Sequence, residues 1–417
     1  MAADRSAPTG QERAATTAVV EHRDGPPPGA TLTSIMRVLL LCWRDVGHPE
    51  GGGSEVYLER VAEYLADPAH GGHDVTVRTA RYPGSVRTER RNGVTYVRGG
   101  GKITVYTTAW WYMLRHRFGP ASGRFDVAVD TQNGMPFFAR IFAGMFGGAR
   151  TILLTHHCHR EQWPDAGPVV SRVGWFVESR LSPLVNRDVP YVTVSDSSRR
   201  ELEDLGVDPG RIRIIHNGVD VPEELQAGRT LPPRPEVTPG GAPHLVTLSR
   251  LTPLKQIEHA VDALAGILPA YPGAVLDIVG DGWWADNLHR YVADRGLGGH
   301  VVFHGHVDGD DKQRLLAGAA LHLMPSRKEG WGLAVIEAGL HGVPTVGYST
   351  SAGLRDSVVA GETGVLVDDR DAFTAAVREL LDNDGLRRRL GEAARTRALG
   401  FSWDATGAAW RDLIEHR

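Results

Sequence analysis

The chain is poor in cysteine, since only two of its 417 residues are cysteine. Cys42 and Cys158 both lie inside or beside apolar, strand-like stretches. Two cysteines in such places supply neither a disulfide framework nor the ligand set of a structural zinc site. The sequence therefore predicts a protein of a reducing compartment, and we expect it in the cytoplasm.

The chain also lacks any apolar run long enough to cross a bilayer as a helix. Residues 1–35 are rich in alanine, proline, glycine and charges of both signs, and they contain no apolar core of the kind that signal peptides have. We predict that this stretch is a disordered leader. Met1 and Met36 are both candidates for the natural start, because Met36 opens the first strand-like run.

A strong charge of either sign is missing too. The net charge is −4, which gives no reason to expect nucleic acid as a partner. Hydrophobic content of 41% and charged content of 23% are ordinary for a globular protein, and 417 residues exceed what one core usually serves. We therefore expect two globular domains.

Short apolar runs alternate with amphipathic segments along most of the chain, which is typical of α/β domains with mostly parallel sheets. The alternation stops at residues 221–243, where proline and glycine dominate, and then resumes. We predict an N-terminal domain at 36–220, a linker at 221–243, a C-terminal domain at 244–400 and a final amphipathic helix at 401–417. Ligands of such sheets bind at the carboxyl ends of strands, so the cleft between the domains is the expected site.

The most informative stretch runs from Ala320 to Tyr348. A short apolar strand leads into the loop Glu329-Gly330-Trp331-Gly332, and Leu333 opens a helical segment. The free N–H groups and the dipole of such a helix start attract anions, and the glycines let a ligand approach the backbone. Glu329 and Glu337 flank this site, which suits a ligand with a phosphate in the middle and hydroxyl groups at both ends. Two glutamates alone would more often be solvated surface charges, but the glycines and the preceding strand favour binding.

Three further groups of residues lie where the cleft is expected. Arg250 and Lys255 flank a turn at a helix start, where cations are disfavoured unless an anion lies nearby. The glycine loop at residues 51–53 precedes the first helix, although a flexible turn would have the same sequence. The run His156-His157-Cys158-His159 ends a strand. Most histidines in such places are hydrogen-bonded structural residues, and a zinc site is disfavoured because no second ligand cluster is visible.

The sequence EGWGLAVIEAGLHGVPTV contains Glu329-x7-Glu337 and follows Arg250-x4-Lys255. Together these motifs resemble the signature of retaining glycosyltransferases of family 4, and the resemblance covers nearly all of residues 36–417. It implies an α/β protein of the GT-B fold, with two Rossmann-like domains facing across a cleft and a C-terminal helix that crosses back to the N-terminal domain. It also implies a hexosyltransferase, EC 2.4, that moves a sugar from a nucleoside-diphosphate sugar to a hydroxyl acceptor with retention at the anomeric carbon.

The resemblance assigns a role to each matching residue. Arg250 and Lys255 bind the diphosphate, Glu337 binds the ribose hydroxyls, and Glu329 binds the hydroxyls of the donor sugar. His156 matches the family's sugar-contacting histidine. His157 stands where many members have an acidic residue, which leaves the choice between the two histidines open. The rest of the predicted donor site comprises Gly52, Gly53, Gly330, Trp331, Gly332 and Leu333.

No metal or other cofactor is expected. The run Asp308-Gly309-Asp310-Asp311 contains a pattern that binds metal in another glycosyltransferase fold, but here it precedes a helix and is interpreted as its cap. We interpret Phe137 to Met145 as a core helix, with a segment lying peripherally on the inner membrane face as the alternative. Trp110-Trp111-Tyr112 is equally compatible with stacking on an acceptor and with core packing.

Three other function classes stay open on the sequence alone. A glycoside hydrolase would use Glu329 and Glu337 as an acid/base pair, although the phosphate-suited cations argue against it. The others are a catalytically inactive subunit that binds a sugar nucleotide and a nucleotide-sugar epimerase. The motifs are equally compatible with different donor bases and sugars, and with glycan, lipid-linked and natural-product acceptors.

Overall fold

Two mostly parallel β-sheets form the framework of the computed structural model, which describes residues 34–49, 51–163, 167–222, 237–238, 240–307 and 309–416. The N-terminal sheet has eight strands and the C-terminal sheet has six. The two-domain α/β architecture predicted from the sequence is confirmed. Nearly all of the predicted leader, most of the predicted linker and Asp308 lie outside the described residues.

The N-terminal sheet has the strand order β3-β4-β2-β1-β5-β6-β7-β8. Its strands are β1 Arg37–Leu41, β2 Asp74–Thr79, β3 Thr88–Arg91, β4 Val94–Arg98, β5 Val127–Thr131, β6 Arg150–Leu154, β7 Tyr191–Thr193 and β8 Ile212–Ile214. Its helices are α1 Gly53–Ala66, α2 Thr104–Phe118, α3 Ala139–Phe142, α4 Pro168–Phe176, α5 Ser182–Val185 and α6 Asp196–Asp204. Strand β1 is central, and its residues from Val38 onward are fully buried, as a sheet covered on both faces requires.

The C-terminal sheet has the order β11-β10-β9-β12-β13-β14 and is parallel throughout. Its strands are β9 His244–Leu248, β10 Val275–Val279, β11 Val301–Gly305, β12 Leu321–Met324, β13 Thr345–Tyr348 and β14 Gly364–Val367. Its helices are α7 Ile257–Ile267, α8 Ala285–Asp294, α9 Gly309–Gly318, α10 Leu333–Leu340, α11 Ala352–Ser357, α12 Arg370–Asp382 and α13 Asp384–Ala398.

The last helix, α14 Trp403–Glu415, returns to the N-terminal domain and packs against α1. Trp410 is fully buried, and its indole N–H donates to the hydroxyl of Tyr57 at 2.6 Å. Arg150, at the start of β6, donates to the carbonyls of Leu413 and Ile414 at 2.8 and 3.1 Å. A cation at this end of a helix satisfies its free carbonyls and opposes its dipole. The predicted crossing of the C-terminal helix is therefore confirmed.

An antiparallel hairpin at the edge of the N-terminal sheet was not predicted. Strands β3 and β4 pair through the two-residue turn Asn92-Gly93, in which both residues have positive φ, 49° and 79°. Asn-Gly is the preferred sequence for such a turn because glycine and asparagine tolerate that conformation. The Asn-Gly turn is visible in the sequence, but the hairpin was missed because β3 is short and has no apolar residue.

The segment Phe137 to Met145 is less helical than predicted. Only Ala139–Phe142 forms a helix, because Phe138 adopts a positive φ of 57° immediately before it. Phe137 is nevertheless fully buried in the core, and its carbonyl accepts from the indole N–H of Trp110 at 2.8 Å. Within the described ranges, no helix is both long enough and apolar enough to cross a membrane.

Replacing Trp410 tests how strongly α14 holds the N-terminal domain. We expect Trp410→Ala to lower the free energy of unfolding by about 3–5 kcal/mol, because it leaves a large cavity and removes the donor to Tyr57. Urea unfolding measures this loss. Trp283, a residue that is 67% exposed, is the matched control, and Trp283→Ala should change stability by less than about 0.5 kcal/mol. Equal losses in the two variants would contradict this account of α14.

Acid should destabilise the fold through His322 in β12. His322 is completely buried, and burial lowers its pKa to about 3. The unfolded histidine titrates near pH 6.5, so between these values protons bind the unfolded chain more and stability falls as pH falls, by about 1.4 kcal/mol per pH unit. The melting temperature of His322→Gln should fall less steeply than that of the wild type between pH 6.5 and 5. His416→Gln, at an exposed histidine, should keep the wild-type slope. An unchanged slope in His322→Gln would contradict this assignment.

Candidate active site

Loops at the carboxyl ends of both sheets meet, and glycines mark three of their contacts. A Cβ on Gly52 would lie 3.6 Å from Nε of Arg250, and one on Gly53 would lie 3.6 Å from a methyl carbon of Leu333. A Cβ on Gly330 would lie 3.0 Å from the carbonyl oxygen of His156. The structure therefore brings these predicted residues of the two domains together at the expected edge of each sheet.

The glycine loop before α1 is held by a buried glutamate that sequence reasoning missed. The backbone N–H of Gly52 donates to Glu55 Oε2 at 2.8 Å, which completes a cap at the helix start. Glu55 is 2% exposed and forms an ion pair with Arg44, with 3.2 Å between Arg44 Nη2 and Glu55 Oε1. The extended backbone of Gly52 and this cap fix the loop opposite Arg250.

The second glycine loop, residues 329–332, is fastened to the N-terminal domain by serines. The hydroxyl of Ser195 donates to the carbonyl of Gly330 at 2.6 Å. The neighbouring Ser198 hydroxyl donates to the carbonyl of His156 at 2.7 Å. Ser195 also caps α6, as the sequence predicted, because its hydroxyl accepts from the N–H of Ser198. One helix start therefore holds both backbone segments of the cleft.

Gly332 precedes α10 and adopts a φ of 92°, which favours glycine. The helix begins at Leu333 and ends at Leu340, as predicted. Trp331 is 3% exposed, and its ring lies 4.9 Å from that of Phe401 and 5.6 Å from that of His216. The ring thus anchors the loop in the core, so a donor contact by Trp331 would come from its backbone.

Each predicted donor-site carboxylate forms an ion pair with a lysine. Lys255, at the end of the turn before α7, pairs with Glu329. Glu337 pairs with Lys312 of α9 across 2.6 Å, between Oε1 and Nζ. Burial lowers the pKa of Lys312, but the Glu337 carboxylate outweighs it and raises that pKa above its ordinary value. The sequence did not predict the pairing of Lys312 with Glu337, because the two residues are 25 positions apart and no local pattern connects them.

The histidines after β6 have different surroundings. His156 is buried, its ring meets that of Tyr57 edge to face at 5.2 Å, and burial lowers its pKa to about 4. Its Nε2 is buried and has no hydrogen-bond partner among the described residues. Burial also lowers the pKa of His157, whose Nε2 accepts from the side-chain amide of Gln162 at 3.0 Å. His159 lies against the buried carboxylate of Glu178, with 3.2 Å between Nδ1 and Oε1.

Further polar atoms at the carboxyl ends of β5 and β6 are buried without a partner in the described part of the chain. They include the hydroxyl of Thr131, which is the last residue of β5, the amide nitrogen of Asn133, and the hydroxyl of Thr155, which follows β6. Buried polar groups usually have partners, so such a group of unpaired atoms suggests contact with a ligand. The signal in the sequence was the polar run that follows each apolar strand.

Within the described ranges, no cluster of three or more histidine, cysteine or acidic residues is arranged to hold a metal ion. The expected helix cap at Asp308 falls outside those ranges, and α9 begins at Gly309. Cys42 and Cys158 are both buried free thiols.

Known proteins resemble this chain in sequence and in fold. The family profile described as Glycosyltransferase Family 4 matches residues 51–223, and the one described as Glycosyl transferases group 1 matches residues 232–397. The chain is 31% identical to the GDP-mannose-dependent alpha-(1-6)-phosphatidylinositol monomannoside mannosyltransferase of Mycolicibacterium smegmatis, over 88% of this chain and 96% of that protein.

Two solved structures show the same fold. Sucrose-phosphate synthase from Thermosynechococcus elongatus superposes with a TM-score of 0.73 at 21% identity, over 91% of this chain and 98% of that one. Anabaena HepE in complex with UDP-glucose superposes with a TM-score of 0.65 at 18% identity, over 91% and 99%. Both family profiles and the long mannosyltransferase match agree with the two-sheet architecture, and the chain therefore belongs to the group 1, family 4 glycosyltransferases of the GT-B fold and is a hexosyltransferase.

Proposed function

We propose that this glycosyltransferase moves a hexose from a nucleoside-diphosphate sugar to a hydroxyl acceptor with retention at the anomeric carbon and without a metal ion. The observation that carries the proposal is the convergence of Arg250, Lys255 and the start of α10 opposite the glycine loop at Gly52. The name of the Mycolicibacterium relative, which is GDP-mannose-dependent, supports a nucleotide-sugar donor.

Arg250 and Lys255 can stabilise the negative charge of the departing diphosphate. Cleavage of the glycosidic bond places negative charge on the diphosphate, and prepositioned positive groups stabilise that charge as it develops. Arg250 offers forked donors, Lys255 a mobile point charge, and the N–H groups after Gly332 a helix start. These groups replace the positive charge that a metal ion provides in other enzymes.

Glu329 has a double role in this scheme. Its ion pair with Lys255 fixes the ammonium group beside the loop, and the diphosphate then competes for the same cation. Release of this pair leaves the carboxylate to accept from donor-sugar hydroxyls and to stabilise positive character on the sugar. We assign no covalent carboxylate nucleophile, and the diphosphate itself accepts the proton of the acceptor hydroxyl.

His156 orients the sugar as a neutral hydrogen-bonding group. With its pKa lowered to about 4, it carries no charge at neutral pH. Its Nε2 lacks a partner, whereas Nε2 of His157 accepts from Gln162. This difference favours His156 over His157 as the sugar-contacting histidine.

The alternatives fit the site less well. A hydrolase would need Glu329 and Glu337 facing each other across a glycosidic bond, and here each is paired with its own lysine. An inactive subunit would have no need for a neutral histidine with an unpaired ring nitrogen at the strand end.

The test is turnover across a panel of UDP-, GDP- and ADP-hexoses with a mixed panel of hydroxyl acceptors. We expect one donor to release its nucleoside diphosphate, the product to keep the donor's anomeric configuration by NMR, and EDTA to leave the rate unchanged. Arg250→Ala and Lys255→Ala should lower kcat by about 100-fold or more, since each removes charge that stabilises the leaving group. Arg389→Ala, at an exposed arginine of α13, is the control and should keep full activity. An inverted product or an EDTA-sensitive rate would overturn the mechanism.

The assignment of Glu337 to the ribose hydroxyls has its own test. We expect Glu337→Gln to weaken binding of the nucleoside diphosphate by about tenfold, the cost of one charge-assisted hydrogen bond. Lys312→Met should weaken it less, because that lysine only orients the carboxylate. Calorimetry with the dideoxyribose analogue of the nucleotide completes a double-mutant cycle. The wild type should bind the analogue as weakly as Glu337→Gln binds either the nucleotide or the analogue. If the loss caused by Glu337→Gln and the loss caused by removing the hydroxyls are additive, Glu337 does not contact the ribose.

A further inference from the structure

A second pocket lies on the N-terminal domain, at the carboxyl ends of β2 and β4. It has a volume of about 530 Å³, and five arginines line it: Arg78, Arg81, Arg87, Arg98 and Arg115. Pockets of roughly 300–1,000 Å³ hold small organic molecules, so this one has room for more than a single ion.

Among the lining residues, Arg78 is a buried arginine that is 3% exposed. Its N–H groups donate to uncharged acceptors, including the carbonyl of Gly99 at 3.2 Å and the hydroxyl of Thr108 at 2.8 Å. A Cβ on Gly99 would lie 2.7 Å from Nη2 of Arg78, so a side chain at this position would displace the guanidinium group. Burial lowers the pKa of Arg78 to about 10, so the group still carries its charge at neutral pH.

The positive charge of the pocket is not balanced locally. Asp45 and Glu89 both pair with Arg98, at 2.6 and 2.8 Å. In the described part of the chain, Arg78, Arg81, Arg87 and Arg115 form no ion pair with a carboxylate. A buried cation without a counter-charge is costly. Both terminal nitrogens of Arg78 already donate to protein acceptors, so its charge attracts an anion without a direct contact. The exposed guanidinium groups of Arg81, Arg87 and Arg115 supply the forked donors that suit an anion with several oxygens.

The remaining lining suits an organic group attached to that anion. Trp111 is 75% exposed, and Thr108 adds a hydroxyl. An exposed indole offers a flat surface on which a polyol or sugar ring can pack. A phosphate ester combines such a group with an anion, and its tetrahedral oxygens match forked arginine donors.

The pocket is linked to the active site. Strand β2 lies beside β1, whose following loop carries Gly52, and neighbouring strands are about 4.8 Å apart. Arg98 binds Asp45 of that same loop, and Asp45 Oδ1 accepts from the N–H of Gly47 at 3.0 Å. The pocket and the glycine loop therefore lie at the same edge of the N-terminal sheet, one to two strands apart.

The geometry points to a phosphate-ester subsite: the arginine pocket holds the phosphate group of the acceptor, so that the acceptor is an anionic hydroxyl compound. This inference rests on the proposed transferase reaction only in identifying the bound phosphate ester as the acceptor. Binding of the phosphate ester itself needs no turnover.

The experiment measures binding of glycerol 3-phosphate to the full chain by calorimetry, with the donor site saturated by the nucleoside diphosphate. We expect binding to weaken by about tenfold or more in Arg81→Ala/Arg115→Ala, because two charge-assisted contacts are lost. Both arginines are exposed, so the fold should be retained. The matched control is Arg378→Ala/Arg389→Ala, which removes the same charge from exposed positions of α12 and α13 and should bind like the wild type.

Two further probes define the ligand. Glucuronate carries a carboxylate on a sugar ring and should bind more weakly than glycerol 3-phosphate, and equal or tighter binding would overturn the phosphate assignment. Cosedimentation with vesicles of phosphatidylglycerol, against phosphatidylcholine, shows whether a lipid headgroup can supply the phosphate. Loss of such vesicle binding in the pocket variant alone would support the subsite with a lipid source.

The inference fails if neither the soluble ester nor the anionic vesicle binds the pocket variant more weakly than the control variant. Lys255→Ala distinguishes an error in the pocket assignment from an error in the proposed function. That variant should lose binding of the nucleoside diphosphate and keep binding of glycerol 3-phosphate. Conversely, the pocket variant should keep its affinity for the nucleotide.

Discussion

The site depends on one close approach between two backbones, that of the glycine loop of the C-terminal domain and that of the strand end at His156. A side chain at residue 330 would meet the His156 carbonyl at about the closest distance that a Cβ tolerates. Ser195 and Ser198 fasten the two segments from the start of α6. Because Lys255 pairs with Glu329 of the same loop, the position of that loop also sets where the cations stand relative to Gly52. Small displacements of this contact would therefore move Glu329 and the lysine that pairs with it.

The C-terminal helix α14 supports this contact through Tyr57, which packs against His156. Trp410 donates to Tyr57, and Tyr57 packs edge to face on His156. The hydroxyl of Tyr57 in turn donates to the carbonyl of Ile215 at 3.1 Å, near the end of the last strand of the N-terminal sheet. A residue of the final helix thus contributes to the position of the histidine that we assign to the sugar. This gives the crossing of α14 a role in the site as well as in stability.

Charge is distributed in two different ways across the N-terminal face. In the cleft, carboxylates and cations are matched: Lys255 with Glu329, Lys312 with Glu337 and Arg44 with Glu55. In the pocket beside α2, Arg78 and its neighbours exceed the nearby carboxylates. The first arrangement suits a ligand that exchanges partners with existing ion pairs during a reaction. The second suits a ligand that brings its own negative charge and keeps it.

The amino-acid sequence was enough to predict the fold class and most strands and helices, and to identify the motifs at Arg250, Lys255, Glu329 and Glu337. These predictions follow from short-range rules: the period of the apolar residues, the glycines and prolines that end helices and strands, and the chemistry of helix starts. Long-range packing was needed to show that Trp331 points into the core, that Lys312 pairs with Glu337, and that arginines from β2 to α2 share one pocket. Each of these depends on which side chains the packing brings together across long stretches of chain, and no local pattern encodes such distances.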